Sequence, residues 1–147
     1  MELVRGIPIT EFCDGKQLGT KERLALFGEV CSAINHAHQK GVIHRDIKPS
    51  NVLVAGDGDK ATVKVIDFGL AKSTARSKQT LPSTVMGKLG YMSPEQVRGD
   101  RVDGKSDVFT LAAVLVEMAL GEPLFGTGED LVVLMRIRDG DFSVLET

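Results

Sequence analysis

The feature that most restricts the fold is a polar run held between two apolar brackets, VIHRDIKPSNVLV, from Val42 to Val54. The β-branched residues on either side read as short buried strands. Brackets of this kind fix the backbone, so Arg45, Asp46, Lys48 and Asn51 are displayed on the intervening loop at repeatable geometry. After Val54 the residues AGDGDKA form a turn by composition, and TVKVID alternates as a half-buried strand that delivers Asp67 at its end. The two strands are expected to pair as a hairpin and to bring Asn51 and Asp67 near one another.

Helices are expected around this centre. From Thr20 to Gln39 the residues Leu24, Phe27, Val30, Cys31, Ile34 and His38 recur at helical spacing, with Thr20 as N-cap and Gly41 just past the end. Residues 72–88 hold many Ser, Thr, Lys and Arg with little periodicity, which predicts a long exposed loop. Ser-Pro-Glu at Ser93 to Glu95 favours a helix start, Asp107 to Ala119 forms an apolar helix stopped by Gly121, and Asp130 to Arg138 forms a short last helix.

Composition removes several classes of function. With 18 Lys and Arg against 20 Asp and Glu, the chain of 147 residues has no general attraction for nucleic acid or an anionic membrane, so any phosphate affinity must be local. Val108 to Leu120 is the longest apolar stretch, but Glu117 interrupts it, and it reads as a core helix rather than a membrane segment. Cys13 and Cys31 are too few for a disulfide framework and lack metal-ligand spacing, which makes a reducing, cytoplasmic setting the expectation and burial their expected state.

Phosphoryl transfer from a nucleotide needs a carboxylate to orient the acceptor hydroxyl, hard oxygen ligands for magnesium and a cation against the developing charge. Asp46, Asn51, Asp67 and Lys48 are residues of those kinds. HRDIKPSN, followed after fifteen residues by DFG (Asp67, Phe68, Gly69) and later by SPE, resembles the protein kinases. Lys48 with Pro49, and GYMSPEQ from Gly90 to Gln96, are similar to the bacterial serine/threonine members.

The resemblance implies an α+β fold: a partial protein kinase domain over residues 1–147, mainly the helical C-terminal lobe, with short β-hairpins at the cleft and the small lobe absent. It implies ATP and Mg²⁺ as cofactors and a protein substrate with a Ser or Thr acceptor. Asp46 would receive or orient the hydroxyl proton and Lys48 would touch the transferred phosphate, while Asn51 and Asp67 would hold the metal and nucleotide. Met1 would stand in the gatekeeper place, and Glu2 to Val4 would present backbone groups to adenine. His44 and Phe68 would be structural beneath the loop, Glu95 would await an ion-pair partner beyond Thr147, and Asp107 would brace the loop backbone from below. Arg45 suggests control by a phosphate on the Ser/Thr-rich loop, with Thr84 in the family's usual place. His36 and His38, on a helix with no matching carboxylate, read as ordinary surface or core residues.

The resemblance also exposes departures. No glycine-rich loop, strand lysine or partner glutamate precedes Met1, which leaves room for a small lobe supplied by another chain and suggests uncovered apolar faces at Val52, Val54 and the Val108 to Leu120 helix. Lys88 stands where these kinases generally carry a threonine, and its ammonium would pair with Asp46 or repel Lys48. A catalytic lobe and a non-catalytic interaction module are therefore both open readings, with a small-molecule phosphotransferase as a weaker third.

Overall fold

In the computed structural model of the chain, residues 5–56, 58–68 and 89–146 are described. Strand β1 (Ile7–Pro8) leads directly into helix α1 (Ile9–Gly15), followed by the long helix α2 (Thr20–Gln39), the loop carrying residues 44–51, and strands β2 (Val52–Ala55) and β3 (Thr62–Val65). Beyond residue 88 come α3 (Pro94–Arg98), α4 (Gly104–Leu120) and α5 (Asp130–Asp139). The result is mainly helical with one small antiparallel sheet of order β1-β2-β3. Among the described residues, no helix is long and apolar enough to cross a membrane.

The expected hairpin is present, with Val52 opposite Val65 and Val54 opposite Val63. Its turn depends on Gly56, whose φ of +90° belongs to the left-handed region and whose Cβ would stand 2.5 Å from the Lys60 carbonyl oxygen. The uncovered face expected at Val52 and Val54 is not found, because both are buried in the main core. Alternation fixes that two valines share a face; it does not say which face meets the helices.

Helix α2 has its expected length, but its cap and its phase differ from the sequence reading. Gly19, not Thr20, is the N-cap, and its N–H donates to the Glu22 carboxylate at 3.2 Å. The buried stripe is Leu26, Val30 and Ile34 at intervals of four, while Leu24 is half exposed and Phe27 and Cys31 are only partly buried. Each fully buried aliphatic side chain contributes roughly 1.5–3 kcal/mol, so this stripe seats α2 against the sheet and α4. Continued by four residues, it reaches His38, with consequences for the site.

Helix α4 begins one turn earlier than expected, with Asp103 as N-cap accepting from the Lys105 N–H at 2.9 Å. Asp107 therefore sits inside the first helical turn, where its side chain can point at the loop. Gly121 ends the helix in the left-handed conformation (φ 80°), as expected. Arg23 ties three elements together: its guanidinium donates to the carbonyls of Leu18 and Met118, both at 2.9 Å, and to the Asp14 carboxylate at 3.0 Å. A second core forms where Leu124 and Phe125 meet Val133, Ile137 and Ala113, with Phe109 stacked on Phe125 at 5.9 Å.

Candidate active site

The loop from His44 to Asn51 forms no ladder with a neighbouring strand, so its backbone groups must find partners among side chains. Ile47 and Pro49 anchor it in the core, and both are buried. Asp107, only 1% exposed, takes the N–H groups of His44 (2.8 Å, Oδ2) and Arg45 (2.9 Å, Oδ1). Two backbone donors shared between the two oxygens of one buried carboxylate hold the start of the loop rigidly to α4.

Arg45 itself has φ of +72°, a left-handed conformation unusual for a residue with a side chain. The next peptide group is pinned on both sides: the Arg45 carbonyl accepts from Gln96 Nε2 at 2.9 Å, and the Asp46 N–H donates to His44 Nδ1 at 3.1 Å. At the following peptide, the Asp46 carbonyl accepts from Asn51 Nδ2 at 2.8 Å, and the same nitrogen lies 3.3 Å from Asp46 Oδ2. Asp46 thus stands between two immobilised peptide planes.

His44 is fully buried, and its tautomer follows from its partners. Nδ1 accepts the Asp46 N–H, so the proton is on Nε2, which donates to the Ile66 carbonyl at 2.8 Å. With both nitrogens committed, the ring orients the loop and has no lone pair for a substrate. Phe68 covers it, ring centroids 4.5 Å apart and tilted by 59°.

Asn51 and Asp67 come together through the backbone, where the Ile66 N–H donates to the Asn51 carbonyl at 2.9 Å. Asp67 follows at once, exposed and at φ of +62°. The Asn51 amide nitrogen is committed to Asp46, which leaves Oδ1 as the end able to meet a cation. A carboxylate and a carboxamide oxygen are both hard donors of the kind magnesium accepts while keeping waters and phosphate oxygens as its other ligands. Lys48, half-buried, lies on the same loop between Asp46 and Asn51. Glu2, Val4, Gly69, Thr84 and Lys88 lie outside the described residues, as do Met1 and the expected loop at 72–88.

Three residues entered the site that sequence reasoning assigned elsewhere or left out. His38 does have a matching carboxylate: Nε2 lies 2.7 Å from Asp107 Oδ2, brought there by the intervals of four along α2. Glu95 has a local hydrogen-bond partner as well, because Ser106 Oγ donates to it at 2.7 Å while accepting from Ser93 Oγ at 3.0 Å. Gln96 was readable only as half of a local capping box with Ser93; nothing in the spacing shows its reach to Arg45. Near this network the Tyr91 hydroxyl donates to the Glu117 carboxylate, and burial, then that hydrogen bond and charge, push its pKa well above the ordinary phenol range.

Neither cysteine has the surroundings of a nucleophile. Burial pushes both thiols up, with Arg23 only partly offsetting it at Cys13, and Cys31 is partly exposed rather than buried as expected. A groove of about 640 Å³ runs between α1, α2 and the hairpin turn and is lined by residues such as Phe12, Leu18 and Leu26, with no residue of the loop 44–51 among its lining.

The model of the protein kinase domain family matches residues 1–144. Serine/threonine-protein kinase PknB of Mycobacterium tuberculosis is 41% identical over 135 residues, covering 90% of this chain and 21% of the relative. Serine/threonine-protein kinase PrkC of Bacillus subtilis is 40% identical over 133 residues, 90% of this chain and 20% of the relative. A probable serine/threonine-protein kinase PknB of Lactococcus lactis is 35% identical over 147 residues, 99% of this chain and 23% of the relative. The chain spans about a fifth of the length of these curated relatives.

Proposed function

The chain belongs to the protein kinase family, and from that premise we propose that it is the catalytic, helical lobe of an ATP-dependent serine/threonine kinase. The observation that carries the reading is the pinning of Asp46 between two held peptides, with Asn51 on one side and the backbone link to Asp67 beyond it. Asp46 receives the proton of a Ser or Thr hydroxyl, and Lys48 lies along the loop to face the transferred phosphate. Asn51 and Asp67 are the residues that would hold Mg²⁺, which when bound neutralises charge on the nucleotide phosphates. His44 and Asp107 keep the loop in place and exchange no proton with substrate.

The same reading assigns adenine contacts to Glu2 and Val4 and a regulatory phosphate on Thr84 facing Arg45. It places the protein in the cytoplasm, acting on other proteins, with nucleotide-covering elements supplied by further sequence or another chain. The test is transfer of labelled phosphate from Mg²⁺-ATP to Ser/Thr peptides by the chain, alone and mixed with a separately produced kinase small lobe. Transfer that disappears in Asp46→Asn is expected. Transfer that persists in Asp46→Asn, or none in either mixture, would reject the reading.

A further inference from the structure

We propose that Gln96 is a positioning residue for Asp46, coupling the start of α3 to the loop that carries the acceptor base; this inference rests on the kinase reading above. Gln96 follows Ser-Pro-Glu and forms a capping box with Ser93: its Oε1 accepts from the Ser93 N–H at 2.9 Å, and its own N–H donates to Ser93 Oγ at 3.3 Å. A glutamate would serve that local purpose equally. The amide has a second end, and Nε2 donates to the carbonyl of Arg45, 51 positions away in sequence, at 2.9 Å.

The placement of that bond gives it leverage. The Arg45 carbonyl and the Asp46 N–H belong to one peptide group, so Gln96 on the oxygen and His44 on the nitrogen together fix its plane. That plane sets ψ of Arg45 and φ of Asp46, the two torsions that aim the Asp46 side chain. Arg45 is in the left-handed region, which an L-residue keeps only when its surroundings over-determine it. Asp107 holds the peptide before Arg45 and Gln96 holds the one after. The far end of the Gln96 amide is also committed, since Ser93 is buried and bonded to Ser106 and through it to Glu95. A disturbance of the α3 cap is therefore passed to the base as a rotation of one peptide plane.

Two variants separate the bridge from the cap. Gln96→Glu keeps the acceptor for the Ser93 N–H and sets a carboxylate oxygen against the Arg45 carbonyl. Gln96→Lys keeps a donor toward that carbonyl and gives up only the side-chain half of the cap, the acceptor for the Ser93 N–H. Expected for Gln96→Glu is a kcat lower by about tenfold with KM for ATP within about twofold, and Asp46 amide exchange faster by about tenfold, the loss of one net hydrogen bond. Gln96→Lys is expected to turn over faster than Gln96→Glu and to expose the Ser93 amide while protecting that of Asp46. Turnover that follows the cap, with lysine slower than glutamate, overturns the proposal, as does unchanged Asp46 amide exchange in Gln96→Glu. Should the glutamate variant not fold, the exchange pattern of Gln96→Lys decides alone: Asp46 protected and Ser93 exposed supports the bridge, and the reverse overturns it. Absence of phosphate transfer by the wild-type chain would count against the kinase reading only, because the amide exchange pattern is measured without ATP.

Discussion

Replacing Asp107 tests how the loop is held. Its two oxygens take the His44 N–H at 2.8 Å, the Arg45 N–H at 2.9 Å and His38 Nε2 at 2.7 Å, in a setting only 1% exposed. In Asp107→Ala both backbone donors lose their acceptor, and each buried orphan costs about 1–3 kcal/mol, which places the variant about 2–6 kcal/mol below wild type. Asp107→Asn keeps one oxygen, able to serve His44 and His38, but turns an NH₂ toward the Arg45 N–H. One orphan and a weakened pair of bonds predict a loss of about 2 kcal/mol. Since a domain of this size holds only about 5–15 kcal/mol in total, both losses are visible in urea unfolding followed by circular dichroism. The order wild type, Asn, Ala is the expected result, with faster exchange of the Arg45 amide in both variants. Losses below about 0.5 kcal/mol in both, typical of surface changes, would refute the claim that one carboxylate organises the loop.

Three further outcomes follow from particular residues. Arg45→Gly and Arg45→Ala remove the same guanidinium, but only alanine must keep a Cβ at φ +72°, so the glycine variant should be the more stable by about 1 kcal/mol in thermal unfolding; equal stabilities would argue against a left-handed Arg45. Gly56→Ala should lower stability by about 1–3 kcal/mol, because its Cβ would meet the Lys60 carbonyl at 2.5 Å, and an unchanged melting temperature would count against this turn. Tyr91 is the chain's single tyrosine and there is no tryptophan, so absorbance at 295 nm reports it alone. Its phenolate should appear only above the ordinary value near 10, and Glu117→Gln should bring the midpoint part of the way back, burial remaining. The folded form holds this proton more tightly than the unfolded, so the stability Tyr91 contributes is complete below pH 10 and is lost as pH rises from there. A titration at the ordinary value would contradict the buried pairing.

Much of the scaffold was legible because its signals are local. Gly121 and Gly41 end helices by the same left-handed backbone, the valine alternation finds its partner strand, and the turn composition between them is unmistakable. What escaped were facts that only packing decides. Leu24 and Leu26 are equally apolar, and the side of α2 facing the core depends on the sheet and α4, so the stripe was misplaced. Strand β1 has two residues and exists only through pairing of Ile7 with Val54 and Pro8 with Leu53. In the site, the DFG and HRD residues stand out as a pattern, whereas His38, Ser106 and Gln96 have no motif beyond a cap. They act across gaps of 69, 11 and 51 positions, and short-range spacing cannot see such distances.

The central claim is that Asn51 and Asp67 converge on one divalent ion beside Asp46. It is tested most directly by adding Mn²⁺ with ATP to isotopically labelled protein and mapping which backbone amide signals the paramagnetic ion broadens. The account predicts strongest broadening around Asn51, Asp67 and Asp46, lost in Asp67→Asn, with α5 unaffected. Broadening centred elsewhere, or unchanged by Asp67→Asn, would contradict it.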